Sequence, residues 1–523
     1  MAADSSRFPA LSLPLMPALA ATAAPDLVIR RARIMDGTGR PAYEGDIAVS
    51  GGRVAAIGAL PGSAADEIDA AGLVAAPGFV DVHTHSEGLV RAPRAEGFAR
   101  MGVTTVVSGN CGGSRLDVGA FLAEAEAAGV SINVATLVGH GTVRARAMGG
   151  AFDRPPTPDE LAKMEDLVAE AMAAGALGLS TGLIYAPGTF AKTEEIIAVA
   201  KVAATHGGLY ATHMRNEETG ILDSIGEVVR VAREAGIRAE IAHLKLHGKT
   251  AWGRSPEVLE ALGRARAEGL RITHDMYLYT ASSTSITARL IPDDALDGGT
   301  EKLLQRLADP ARAAAIARVM RAELADRGFD DYSYVAITSC ARNPALNGLR
   351  IPEAARATRG SASLDDQIET VLQIVRDGGA GAIYHAMSEE DLQTFLRDPH
   401  TLIASDGSPG GAHPRSCGNN ARALGRYARD LKLLPLEEMV RKMTSLPATT
   451  FGLKDRGVLR PGAAADIVLF DPDRVRDTAT YQEPRRHPEG IPHVIVNGAP
   501  VIRDGEHTGA PAGRALGRQA PAA

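Results

Sequence analysis

Six residues able to bind a metal ion recur beside short apolar runs in this chain: His83, His85, Cys111, His213, His243 and Asp406. The first two close the string Pro77-Gly78-Phe79-Val80-Asp81-Val82-His83-Thr84-His85. In a strand, residues i and i+2 face the same way, so both imidazoles are expected to reach one point. A His-x-His pair alone is equally compatible with satisfied core histidines. The balance shifts because Ser108-Gly109-Asn110-Cys111, Thr212-His213, Ala242-His243 and Ser405-Asp406 end other strand-like runs. Imidazole, thiolate and carboxylate are the donors zinc takes. Zinc with an open position lowers the pKa of bound water to about 7, which points to hydrolysis near neutrality.

Positioning such residues requires a repeated scaffold. Strand patterns are read at 77–85, 104–111, 131–139, 176–182, 208–214, 238–245, 271–279 and 400–406. Alanine-rich amphipathic stretches such as Pro158–Ala174 and Glu194–His206 lie between them. This alternation predicts an α/β fold, a (β/α)8 TIM barrel over 77–454, whose strand ends gather the site at one mouth. An open doubly wound sheet would need a Gly-rich phosphate turn after its first strand, where His-Thr-His stands instead. The seventh and eighth strands are too far apart for a loop, so an insertion is expected over about 285–395, above the mouth. Residues 26–76 and 455–505 alternate apolar and polar around turn residues, which predicts a small composite β-sandwich built from both chain ends. Residues 506–523 read as a flexible tail.

The bulk numbers narrow the function classes. The chain has 523 residues, 45% apolar and 23% charged, with a formal charge of −7. That is an ordinary globular composition, and no basic run suggests nucleic acid. No apolar stretch after the N-terminus is long enough for a membrane span. Three widely spaced cysteines do not make a disulfide framework. Residues 1–25 combine an apolar run with Ala-x-Ala sites, but also carry Asp4 and two prolines within the run. A cleaved export signal and a simple tail both fit, leaving cytoplasmic and periplasmic or secreted locations open. A homo-oligomer is compatible with the sequence but not read from it.

In order along the chain, Gly78-Phe-Val-Asp-Val-His83-Thr-His85, Ser108-Gly-Asn110-Cys111-Gly, Gly182-Leu-Ile-Tyr185-Ala-Pro187-Gly188, Thr212-His213-Met-Arg215-Asn-Glu217, Ala242-His243-Leu-Lys245 and Ser405-Asp406-Gly-Ser with His413-Pro414-Arg415 resemble the metal-dependent amidohydrolases. Within that superfamily the chain resembles the D-aminoacylase, or N-acyl-D-amino-acid deacylase, family, over residues 26–505. The resemblance implies a zinc hydrolase of N-acyl amino-acid amides. Cys111, His213 and His243 would hold a tight zinc. His83, His85 and Asp406 would face a second, weaker position, with Cys111 able to bridge. Asp406 would also act as general base, then acid. Related hydantoinases carry a carboxylated lysine on strand four, where this chain has Gly178-Leu179-Ser180-Thr181.

The substrate's α-carboxylate needs a cation. Lys245 follows His243 by two residues, on the same strand face, and the family places it there. Arg415, Tyr185, Tyr279 (or Tyr277 on the same face) and Ser283 are further substrate-binding candidates, Arg415 because a guanidinium reads a carboxylate with two hydrogen bonds. His274 could orient a ligand, and Glu389-Glu390-Asp391 reads as a solvated first helical turn. Two departures from the family stand out. Ser86-Glu87 follows the second histidine, and Ser416-Cys417-Gly418-Asn419-Asn420 follows Arg415. They leave dipeptides and ochratoxin-type aryl amides as alternative substrates; a cyclic amide is the less favoured alternative, because the carboxylated lysine is missing.

Overall fold

The computed structural model describes residues 24–518 and shows a mixed α/β fold. Eight parallel strands run through it: Phe79–Asp81 (β1), Val103–Ser108 (β2), Asn133–Thr136 continued as Val138–Gly139 (β3), Gly178–Gly182 (β4), Leu209–His213 (β5), Arg238–Ile241 (β6), Ile272–Met276 (β7) and Thr401–Ile403 (β8). β1, β2 and the first part of β3 form one sheet, and the second part of β3 opens a sheet continuing through β8. At the break, Leu137 N still donates to Ser108 O at 2.9 Å. At the opposite side, Thr84 bridges Gly407 in parallel. There Asp406 N donates to His83 O and His85 N to Gly407 O, both at 2.8 Å. Every residue of β4 and β5 is buried, as expected for strands covered on both faces.

The crossover helices form where the sequence caps them. Helix Pro158–Ala173 starts with a capping box between Thr157 and Glu160 and has Pro158 in its first turn, where no amide donor is needed. Helix Val118–Ala128 is capped by Asp117 and stopped by left-handed Gly129.

Both chain ends meet in one nine-stranded sheet, in which Ile467–Phe470 pairs with Val74–Pro77 and His493–Val496. Alternation decides its two faces. Ile467 and Leu469 join the sheet's own core with Ile29, Ile47 and Ile495, while Val468 and Phe470 pack toward the parallel strands.

For residues 506–518 the expected flexible tail is corrected by the structure. Glu506–His507 adds a strand, and Leu516 N donates to Val134 O at 2.7 Å while Val134 N donates to Arg514 O at 2.9 Å. β4 pairs with β3 only from Val138 onward, so the terminal segment satisfies amide and carbonyl groups that would otherwise be left open along 133–136. The two alternatives for residues 1–25 fall, except for the last two positions, outside the described residues.

Between β7 and β8, where an insertion is expected, the chain forms a three-stranded antiparallel sheet, ordered Ser282–Ser285, Gly381–Tyr384 and Val335–Ser339, with helices over a separate core that includes Ile286, Met320, Ile351 and Val371. It starts slightly before the expected boundary and ends before Ser388. Helix Glu389–Arg397 belongs instead to the main body, packing on Ser255–Ala267. Its first turn is not fully solvated: Asp391 is buried and accepts from Ser255 Oγ at 2.6 Å and Gly253 N at 2.9 Å.

Candidate metal centre

Cys111 sits in the middle of three imidazoles. Its Sγ lies 3.4 Å from His83 Nε2, 3.6 Å from His243 Nε2 and 3.7 Å from His213 Nδ1. Three overlapping groups have ligand atoms within 4.8 Å of one another: His83 with Cys111 and His243; His83 with His85 and Asp406; and His213 with Glu217 and His243. All six residues singled out as ligands therefore converge.

Apart from His213, which ends β5, they do so through loop geometry rather than strand alternation. β1 ends at Asp81, two residues before His83, and β6 ends at Ile241, two before His243. Cys111, His243 and Asp406 adopt left-handed backbone, with φ of 52°, 35° and 48°. Such conformations are costly for side chains with a Cβ and concentrate at functional sites. The Cys111 loop lies flat across the strand ends because glycines make room. A Cβ on Gly182 would meet the Cys111 carbonyl oxygen at 2.0 Å, and one on left-handed Gly112 would meet Gly182 N at 2.7 Å. Asn110 Nδ2 anchors the loop to Val82 O and Val107 O at 3.2 and 3.0 Å. The Ser86-Glu87 departure has a structural role: Glu87 accepts from Gly109 N at 2.8 Å.

Two carboxylates stand behind the imidazoles. Asp275 accepts from the backbone amide of His243 at 2.8 Å and lies 3.0 Å from His83 Nδ1. Glu217 lies 3.1 Å from His243 Nδ1 and 3.7 Å from His213 Nε2. Carboxylates so placed fix the tautomer and ring orientation of metal-ligating histidines. The donor chemistry thus fits a metal ion: each ring turns one nitrogen to the centre and the other toward an acid.

The electrostatics agree. Burial opposes ionisation of Cys111, but the His83 charge and hydrogen bonds from His213, His243 and His83 outweigh it, holding the thiol well below its ordinary value. Burial likewise opposes ionisation of Asp406, while Arg415 and the His83 and His85 rings hold its carboxyl well below the usual range. Glu217 is held low against burial chiefly by Lys245.

The expected substrate residues divide. Tyr185, Ser283, Lys245 and Tyr277 line a cavity of about 20 Å³ with His213, His243 and Asp406. Tyr185 stands edge-on to His213 at 5.0 Å, its hydroxyl 3.2 Å from Thr284 Oγ1. Tyr279 does not line this cavity: its hydroxyl donates to Asp477 at 3.2 Å, so of these two Tyr277 is the one beside it. Neither cation is free. Lys245 Nζ donates to Glu217 Oε1 at 2.5 Å, and Arg415 Nη1 lies 2.8 Å from Asp406 Oδ2 with its guanidinium over the Tyr277 ring. His274 is not at the site, as its ring lies 2.8 Å from Thr401 Oγ1.

The amidohydrolase family pattern matches residues 66–502. The chain belongs to the amidohydrolase family. It is 40% identical to the D-aminoacylase of Alcaligenes xylosoxydans xylosoxydans, covering 95% of this chain and 98% of that protein. It is 36% identical to the N-acyl-D-glutamate deacylase of the same organism, covering 95% and 97%. Among solved structures, the N-acyl-D-glutamate deacylase of Bordetella bronchiseptica, complexed with zinc and a phosphonate mimic of the tetrahedral intermediate, superposes with a TM-score of 0.82 at 36% identity, covering 95% of this chain and 100% of that one. These relatives set this amidohydrolase in the D-aminoacylase branch.

Two residues of this amidohydrolase escaped sequence reasoning as site residues. Glu217 lies in the quoted Thr212–Glu217 motif, four residues after His213, which was a usable signal. Asp275 follows His274, and only the inward direction of its side chain on β7 separates the two.

Proposed function

We propose that this amidohydrolase holds zinc between Cys111, His213 and His243, with a weaker position at His83, His85 and Asp406, and hydrolyses the amide bond of an N-acyl-D-amino acid. The observation that carries this reading is the Cys111 thiolate among three imidazoles, with buried carboxylates behind them. A thiolate among imidazoles favours zinc over magnesium or calcium. When bound there, zinc supplies Lewis acidity toward an amide oxygen and acidifies water. Asp406, buried, ionised and 3.1 Å from His85 Nε2, accepts a proton at a carboxylate oxygen and returns it to the leaving nitrogen. Arg415 keeps Asp406 ionised. Lys245 and Arg415 flank the pocket as cations for the substrate carboxylate, which would compete with Glu217 and Asp406 for them. Tyr185, Tyr277 and Ser283 supply hydroxyls. The cavity holds little more than a water molecule, so strand Ser282–Ser285 of the insertion has to shift when substrate binds. In the same reading the two parallel sheets are arcs of one (β/α)8 barrel, supported by the Thr84–Gly407 bridge, and the terminal sheet is the composite domain beside it.

The test pairs metal analysis with one substrate panel: N-acyl-D- and N-acyl-L-amino acids with neutral and acidic side chains, dipeptides and aryl amides. Bound zinc and a preference for D substrates are expected. Zinc-free protein, or Cys111→Ala with unchanged turnover, would overturn the reading.

A further inference from the structure

The segment after Arg415, where the chain departs from its family, borders a second cavity. This cavity measures about 510 Å³ and lies between residues 91–98, 408–410 and 416–417, and 485–487. That volume is within the range of small-molecule sites, roughly 300–1,000 Å³. Its walls are largely apolar, formed by Ala92, Pro93, Ala95, Phe98 and Pro409. Cys417 adds a thiol, and burial pushes it up to about 11, so this lining group is uncharged at neutral pH. Gly97 lets helices Glu96–Arg100 and Arg415–Arg422 meet there, since a Cβ would approach Ser416 O and Cys417 Sγ at 3.0 and 3.1 Å.

The rim carries charge of one sign that nothing balances. Glu96, the acid of the lining, is engaged by Arg100 at 3.1 Å and Arg94 at 3.6 Å. Arg91 and Arg485 are exposed, and among the described residues neither has a carboxylate within 4.0 Å. An apolar chamber of this size beneath two unpaired guanidinium groups matches a ligand with an apolar body and one anionic end.

We propose that this cavity is a second binding site, distinct from the metal centre, for a small aliphatic monocarboxylate. The tail lies against Pro93, Phe98, Pro409 and Cys417, and the carboxylate meets Arg91 and Arg485. The site is coupled to the metal centre by the chain itself. Ser408 and Ser416 line the cavity, Ser408 N donates to Ser416 Oγ at 3.2 Å, and the same segment carries Asp406 and Arg415. An occupant therefore braces the loop that holds the Asp406–Arg415 pair.

The inference does not depend on the substrate reading, and its test is separate. Octanoate is titrated calorimetrically into the metal-loaded enzyme, with octan-1-ol as the uncharged control. The variants are Arg91→Ala/Arg485→Ala, which removes only exposed cations, and Ala92→Trp, which fills the chamber from its exposed rim. Saturable octanoate binding is expected, weakened about tenfold or more in the double variant and for octanol, the scale of a lost charge-assisted hydrogen bond. Ala92→Trp should abolish binding, and turnover without octanoate should be unchanged in the double variant. Octanoate binding that is equal in wild type and both variants, or absent at millimolar octanoate, overturns the proposal.

Discussion

On one wall of the metal centre, His213 and His243 stand against a buried glutamate that is locked by a buried lysine. On the other, His83 is equally buried, but the His85 side chain is 41% exposed and Asp406 is bound across the mouth to Arg415. The first wall is assembled from β5 and the segments just after β5 and β6, and its charged partners lie within 28 residues of one another in sequence. The second joins the segments after β1 and β8: Arg415 is close to Asp406 in sequence, but His83 and His85 meet that carboxylate across more than 300 positions. A wall whose two imidazoles share one buried, ion-paired carboxylate is organised before any ligand arrives and suits tight metal binding. A wall whose carboxylate lies beside a partly exposed imidazole suits proton transfer and exchange of partners. Cys111 stands between the two.

The largest effect expected is from Cys111→Ala, which removes the centre common to both walls. It should lower kcat/KM by about 10³-fold or more and strip zinc, read by metal analysis of the purified variant. Asp406→Asn should separate the walls. We expect a kcat loss of about 10²–10⁴-fold, the usual range for a general acid–base, with zinc retained at Cys111, His213 and His243. Loss of all metal in that variant would mean the walls are one site. Glu217→Gln acts on the first wall alone and should weaken metal affinity by about 10–100-fold, measured by competition with a chelator.

The smallest effect is a shift in pH. Arg415 is the chief counter-charge holding the Asp406 carboxyl low. Removing it in Arg415→Ala raises that pKa, so the acid limb of the kcat/KM profile moves to higher pH. The sign for stability is the same. Ionised Asp406 contributes stability that is present above the ordinary carboxylate value and lost as pH falls through the folded one. Melting temperature followed against pH should show that contribution reduced in the variant. An unmoved acid limb would assign the limb to another group.

Much of this was legible in the chain. The ligand residues stand out because strand patterns end beside them, and the eight parallel strands were found where apolar runs alternate with amphipathic stretches. Residues 506–518 read as loose because composition reports no hydrogen bonding: an Ala/Pro/Gly-rich segment looks flexible until the open edge of β3 is there to accept it. Tyr277 and Tyr279 could not be separated by pattern, since both follow β7 on one face, and what distinguishes them is Asp477, about 200 positions away. The Ser416–Asn420 segment looked like lost site chemistry, yet Asn419 ties β7 to β8 by accepting from Leu278 N at 2.8 Å and donating to Ala404 O at 3.0 Å.

By itself the sequence determined the donor types, their order along the chain and the class of scaffold, because periodicity and residue chemistry are local properties. The tertiary structure decided which donors share a centre, which acids stand behind them and which cations are already spent. Those depend on left-handed turns after the strands, on glycines that let one loop lie across another, and on pairings between residues more than a hundred positions apart, none of which leaves a periodic trace in sequence.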